Sequence, residues 1–171
     1  MPQVAQAKTS SLKSRSGFSY LETMRKELFI FTFILILFIA ALNELAVNYY
    51  FYWRIWWFDI MMHFLGGLWV GLSALWFYYS SGFSKKGGKS IFTKEGTVNK
   101  RKMFFISLFS GILIGLGWEI FEFIIEVDFS NNYIDDTLLD LLMDMIGAIM
   151  AFVVVSKFYR KDLEKINKNS L

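Results

Sequence analysis

Cysteine is absent from this chain, which excludes a disulfide framework and a thiolate metal site. Proline is nearly absent too. Pro2 is the only one, so none of the apolar stretches carries a proline kink. Histidine occurs once, at His63. No internal repeat is evident, and no motif supplies a recognisable nucleophile or a phosphate-binding arginine cluster. What the chain has in abundance is apolar surface. Of its 171 residues, 55% are hydrophobic and 33 are Phe, Tyr or Trp. A soluble domain of this size does not carry that much, nor in such long blocks. The length suits one domain.

The blocks are long enough to cross a bilayer, for which about 20 apolar residues suffice. The first runs from Leu28 to about Val47. A cleaved signal peptide is the rival reading of this run. Both its basic lead and the run itself are long for that role, which favours an uncleaved first helix. The second block spans about Trp57 to Tyr79, the third Met103 to Ile125 and the fourth Thr137 to Phe158. Residues 1–27 form a basic lead. Its first 20 or so residues, rich in Ser, Gln, Ala and Lys, are expected to be disordered. Tyr49 to Trp57 is crowded with aromatic rings and reads as an interfacial belt, because amphipathic rings settle at headgroup level. A Gly- and Lys-containing loop occupies about 81–102, a short acidic turn lies between Glu126 and Asp136, and a basic tail covers 159–171. The predicted fold class is an all-α integral membrane protein, with a four-transmembrane-helix bundle over 28–158.

Charge sets the orientation. Lys8, Lys13, Arg15, Arg25 and Lys26 precede the first block, seven basic residues fill the loop, and Lys157, Arg160, Lys161, Lys165 and Lys168 follow the last block. The opposite side has Arg54 alone. Seventeen against one places both termini and the basic loop in the cytoplasm. The acids show the reverse bias. Glu44, Asp59, Glu119, Glu122, Glu126, Asp128, Asp135, Asp136, Asp140 and Asp144 all lie toward the outer side. One arginine cannot compensate ten carboxylates. Protonation, water or a bound cation must do so.

Helical spacing groups these acids. Asp59 and His63 are four apart, Glu119, Glu122 and Glu126 are three and four apart, and Asp136, Asp140 and Asp144 are four and four apart. Each set shares one face of its helix. At about 1.5 Å per residue, His63 lies about 6 Å below Asp59, and Asp144 about 12 Å below Asp136. The result is a polar pocket that opens outward. Asp59, His63, Glu119, Glu122, Asp140 and Asp144 are its candidate ligands. Carboxylates with one imidazole on facing helices can build a metal site, and this donor set suits Mg²⁺, Mn²⁺, Ca²⁺ or Zn²⁺. The competing reading has the acids protonated and hydrogen-bonded, holding the helices together. Glu44 either joins the cluster or sits in the interface. Gly67, Gly71, Gly111, Gly115 and Gly147 are placed for close helix packing. The basic loop and tail suit anionic lipid, and no folded basic surface indicates nucleic acid.

Asp59-x-x-x-His63-Phe64, Gly67, Glu119-x-x-Glu122 and Asp140-x-x-x-Asp144-x-x-Gly147-Ala148 occur in this order over helices two to four. In this the chain resembles the VanZ-like family of small bacterial membrane proteins and a related, uncharacterised carboxylate-rich inner-membrane family. VanZ-like proteins commonly carry Gln at the position of Glu122 and Asn at that of Asp144. This chain is more acidic at both, which is closer to the uncharacterised relatives. The resemblance implies a multi-pass protein of the bacterial inner or plasma membrane and a role at the cell envelope.

The expected function is an envelope protein whose outward acidic pocket binds a cation, a polar headgroup or a cell-wall fragment. One alternative is a metal-dependent enzyme acting on a lipid-linked phosphate substrate at the outer leaflet. Another is a proton or cation transporter, although no ionisable groups continue the cluster into the inner halves of the helices. The expected partner is the lipid bilayer, and a homo-oligomer is compatible with the sequence.

Overall fold

The computed structural model describes residues 2–80, 85–86, 89–90, 100–125, 133–161 and 164, with side chains at 22–78, 80, 100–125, 134–161 and 164. Five helices account for most of it: α1 (Pro2–Tyr49), α2 (Phe51–Arg54), α3 (Phe58–Ser80), α4 (Lys100–Ile125) and α5 (Tyr133–Phe158). A two-residue antiparallel pair, β1 (Lys85–Lys86) with β2 (Lys89–Ser90), lies between α3 and α4. Four helical stretches are long and apolar enough to cross a membrane: Glu22–Tyr49, Phe58–Tyr78, Lys100–Ile125 and Ile134–Phe158. The protein is therefore all-helical with four candidate spans, as its apolar blocks predict. Large apolar side chains such as Phe109, Leu113, Ile120 and Ile124 cover the outside of α4. A hydrophobic exterior of this extent suits lipid and would be unfavourable in water.

The first helix differs from the sequence reading at its start. The helical backbone continues to Pro2, through a stretch whose polar composition predicts disorder. At its other end, α1 stops at Tyr50, whose φ of 59° is the one left-handed non-glycine conformation in the described residues. The chain then turns through the single-turn helix α2 and enters α3 at Phe58. The backbone N–H of Phe58 donates to the Ile55 carbonyl at 2.9 Å. The rings of Tyr52 and Phe51 pack against Phe58 at centroid distances of 5.2 and 5.6 Å. Trp53 and Trp56 project outward. An indole at this level suits the boundary between headgroups and acyl chains.

The spans are not equivalent. Helices α3, α4 and α5 pack on one another, whereas α1 packs on α3 and α2 alone among the described residues. The bundle is thus a three-helix core with α1 laid along α3. At the end bearing the termini, the core is apolar: Met24, Leu28, Leu72, Leu75, Met103, Ala151 and Val155 are all buried. Toward the other end, α3 and α5 approach backbone to backbone. A Cβ at Gly67 would strike the Asp144 carbonyl oxygen, and one at Gly147 would strike the Phe64 carbonyl oxygen. Glycine is required at both positions for this approach. Ser107 on α4 ties in the third helix by donating to the Ala148 carbonyl at 2.6 Å.

Of the expected connections, residues 126–132 of the acidic turn, most of the 81–102 loop and the tail beyond Glu164 lie outside the described residues. Asp135 and Asp136, assigned to that turn by sequence, stand in the first turn of α5.

Candidate functional site: a histidine among carboxylates

Above the glycine contact the interior changes from apolar to acidic. His63 is buried one helical turn below Asp59. Asp140 and Asp144 from α5 and Glu119 from α4 are buried around it. Glu122 is half-buried, and Asp59 is the more exposed of the α3 pair.

The imidazole is the centre of this arrangement. Its Nδ1 lies 3.3 Å from Asp144 Oδ2, within hydrogen-bonding reach. Its Nε2 lies 3.9 Å from Asp140 Oδ2 and 4.0 Å from Asp59 Oδ1, both too long for hydrogen bonds. Ligand atoms of Asp59, His63 and Asp140 fall within 4.8 Å of one another, and so do those of His63, Glu119 and Glu122. Asp140 is only 2% exposed, and its Oδ1 has no hydrogen-bond partner. An ionised carboxylate held this way lacks the compensation that buried charges require.

Local structure explains how each group is held. On α3, the i,i+4 spacing stacks Asp59 over His63. On α5, the same spacing sends Asp140 and Asp144 to the two sides of one ring. Asp144 fits because α4 offers Gly115: a Cβ there would collide with the Asp144 carboxylate. On α4, Trp118 Nε1 donates to Glu122 Oε1 at 2.7 Å and fixes the half-buried carboxylate. The structure thus gathers Asp59, His63, Glu119, Glu122, Asp140 and Asp144 at one level. It does not bring in Glu44, which accepts from Asn48 Nδ2 at 2.9 Å on the surface of α1. Asp136 is exposed on the first turn of α5. Glu126 and Asp128 lie outside the described residues.

Two neighbours escaped the sequence reading. The Trp118 to Glu122 contact is an i,i+4 pair, a spacing the sequence contains, but the sequence reading considers Glu122 only as a ligand. The second is Tyr52, which the aromatic run assigned to the interface. Its hydroxyl donates to Asn43 Oδ1 at 2.8 Å and links α2 back to α1. Burial, then the nearby carboxylates of Asp59 and Glu122, pushes its phenol up to about 12, so it remains a donor. This contact depends on the sharp turn at Tyr50, for which the sequence gives no glycine or proline signal.

A family model described as "Predicted membrane protein (DUF2238)" matches residues 18–161. The chain belongs to the DUF2238 family. The match covers all four candidate spans and every residue of the acidic cluster. DUF2238 membership accounts for the multi-pass membrane character. It supports the membrane-protein part of the resemblance, and it does not extend to a VanZ assignment. No curated protein and no solved structure matches the chain significantly.

Proposed function

We propose that this protein is a VanZ-like envelope protein whose His63-centred cluster is an outward-facing site for a divalent cation. Orientation rests on the seventeen-to-one distribution of basic residues, which puts the cluster toward the extracytoplasmic side. The observation that carries the proposal is Asp140. Its carboxylate is almost wholly buried, one oxygen has no partner, and the other faces His63 Nε2 across a gap too wide for a hydrogen bond. Several carboxylates at one level repel one another, and a cation between them relieves both the repulsion and the missing partner. A polar headgroup or cell-wall fragment would then reach the ion from the outer side.

The transporter reading finds less support. The half of the bundle beneath the cluster is filled by Met24, Leu28, Leu72, Leu75 and Met103, and among the described residues no buried ionisable side chain continues the cluster through it. An enzyme acting on a lipid-linked phosphate would use the same ion as a Lewis acid, but no further side chain in the cluster is disposed as its nucleophile.

The test is thermal unfolding of detergent-purified protein with each of Mg²⁺, Mn²⁺, Ca²⁺ and Zn²⁺ and with chelator. An ion at about a hundred times its Kd stabilises by about 2.7 kcal/mol through mass action. In a chain of this size that raises Tm by about 5–10 °C. Asp140→Asn should abolish the response. A Tm indifferent to all four ions and to chelator would refute the cation reading.

A further inference from the structure

We infer that Asp59, His63 and Asp140 are ligands and Asp144 a positioning residue, and that this division selects an imidazole-binding transition ion such as Zn²⁺ over Mg²⁺ or Ca²⁺. The inference rests on the cation reading above and goes on to specify which atoms bind and what kind of ion they take.

The division follows from the two ring nitrogens of His63. Nδ1 is engaged by Asp144 Oδ2 at 3.3 Å. Asp144 is itself enclosed, with its carboxylate in the space that Gly115 leaves open. Nε2 faces the other way. Asp140 Oδ2 and Asp59 Oδ1 flank it at 3.9 and 4.0 Å. Two donors on one tetrahedral ion with bonds near 2.0–2.1 Å are about 3.3 Å apart. The observed gaps are therefore wider than a bound ion needs by about half an ångström, a shift that side-chain rotation supplies. The lone pairs of the two ring nitrogens diverge, so a group hydrogen-bonded at Nδ1 cannot reach an ion at Nε2. Asp144 consequently lies outside the coordination sphere. It accepts the Nδ1 proton and leaves the Nε2 lone pair directed at Asp59 and Asp140. Carboxylate–histidine–metal arrangements work this way, with the outer carboxylate fixing the tautomer and strengthening the donor. Asp140, whose Oδ1 is buried without a hydrogen-bond partner, presents its Oδ2 on the Nε2 side of the ring, where the ion would sit.

This arrangement bears on ion identity. Mg²⁺ and Ca²⁺ take oxygen donors and gain little from imidazole, whereas Zn²⁺ and neighbouring transition ions bind it well. A site that orients its one nitrogen donor into the gap between carboxylates favours the second class. Glu119 and Glu122 approach His63 from α4 as a second group, separate from that of Asp59 and Asp140.

The chain has a single histidine, which makes the test direct. Full-length protein labelled with histidine carrying nitrogen-15 in the ring alone shows only the two ring nitrogens of His63 by NMR. In metal-free protein the proton should reside on Nδ1. Added Zn²⁺ should shift Nε2 strongly and leave the Nδ1 proton in place, while Mg²⁺ or Ca²⁺ at the same concentration should move neither. Asp144→Asn should lower Zn²⁺ affinity about 10- to 100-fold. It should also let the ring proton divide between both nitrogens in the metal-free state. His63→Asn should remove Zn²⁺ binding. Metallation at Nδ1 overturns the inference, as does an Asp144→Asn affinity within about threefold of the unaltered chain. Binding of Mg²⁺ or Ca²⁺ as tight as Zn²⁺, with the histidine signals unmoved, overturns it and leaves the cation reading standing. A doubly protonated ring with no ion bound overturns both, since an imidazolium would then compensate the acids itself. If Asp144→Asn fails to fold, the labelled unaltered chain still decides which nitrogen is the ligand and which ions it takes.

Discussion

Replacing Gly67 with alanine adds one methyl group where α3 meets α5. The new Cβ would strike the Asp144 carbonyl oxygen and lie 2.6 Å from the Asp144 Cα and 2.7 Å from its carbonyl carbon. These are backbone atoms in the middle of a helix, so no rotamer change relieves the clash. Ordinary contact needs about 3.5 Å or more, so the helices must separate by about 1 Å. Overpacking of this kind costs about 1–3 kcal/mol. The same movement draws Asp144 from His63, where a charge-assisted hydrogen bond is worth about 1.5–3 kcal/mol. Together these predict a loss of about 2.5–6 kcal/mol, or a fall in Tm of about 5–24 °C for a chain of this length. The control is Gly117→Ala. Nothing lies within 4 Å of a Cβ at Gly117, so alanine there should be neutral or gain up to about 1 kcal/mol from helix propensity. Both variants are compared by thermal unfolding in the same detergent. If Gly67→Ala melts with Gly117→Ala, the close approach of α3 and α5 is not what holds the core together.

Two further predictions concern the ends of the bundle. Because the chain has no cysteine, Ser84→Cys and Asn131→Cys each introduce a single thiol. A membrane-impermeant reagent applied to intact cells should label the second and spare the first, and labelling of Ser84→Cys from outside would reverse the topology. Tyr52→Phe removes the hydroxyl that donates to Asn43 while keeping the ring against Phe58, so it should destabilise by about 0.5–1.5 kcal/mol in thermal unfolding. A loss several times larger would show that Tyr52 does more than link α2 to α1.

How far the sequence could be read depended on the kind of interaction. The spans were legible because transfer into lipid is a sum over a run of residues. Trp57–Tyr79 was expected where Phe58–Ser80 is found, and Met103–Ile125 where α4 runs from Lys100 to Ile125. The level at which the acids gather was also legible, since i,i+4 spacing fixes the shared face of Asp59 and His63. What spacing could not decide was division of labour within a stripe. Asp140 and Asp144 are equivalent by periodicity, yet they meet opposite nitrogens of one ring, because Gly115 on another helix makes room for Asp144 alone. The peripheral place of α1 was hidden for a similar reason. Its apolar run suits lipid and protein neighbours equally, so hydropathy cannot say how many helices it touches. The extension of α1 to Pro2 runs through a polar stretch, where composition argues for disorder and gives no signal for a helix.

The burial of Asp144 against α3 has a consequence for biogenesis. Asp144 lies ten residues inside the Ile134–Phe158 span, about 15 Å from its start and near its middle. An aspartate at that depth opposes insertion by about 2.5–3.5 kcal/mol when the helix enters alone. Its cover comes from His63 on α3 and from the space at Gly115 on α4, both synthesised earlier. This span follows α3 and α4 out of the ribosome and therefore carries a polar group that becomes tolerable only once they stand ready to receive it. Stable insertion of α5 thus depends on its docking against α3 and α4.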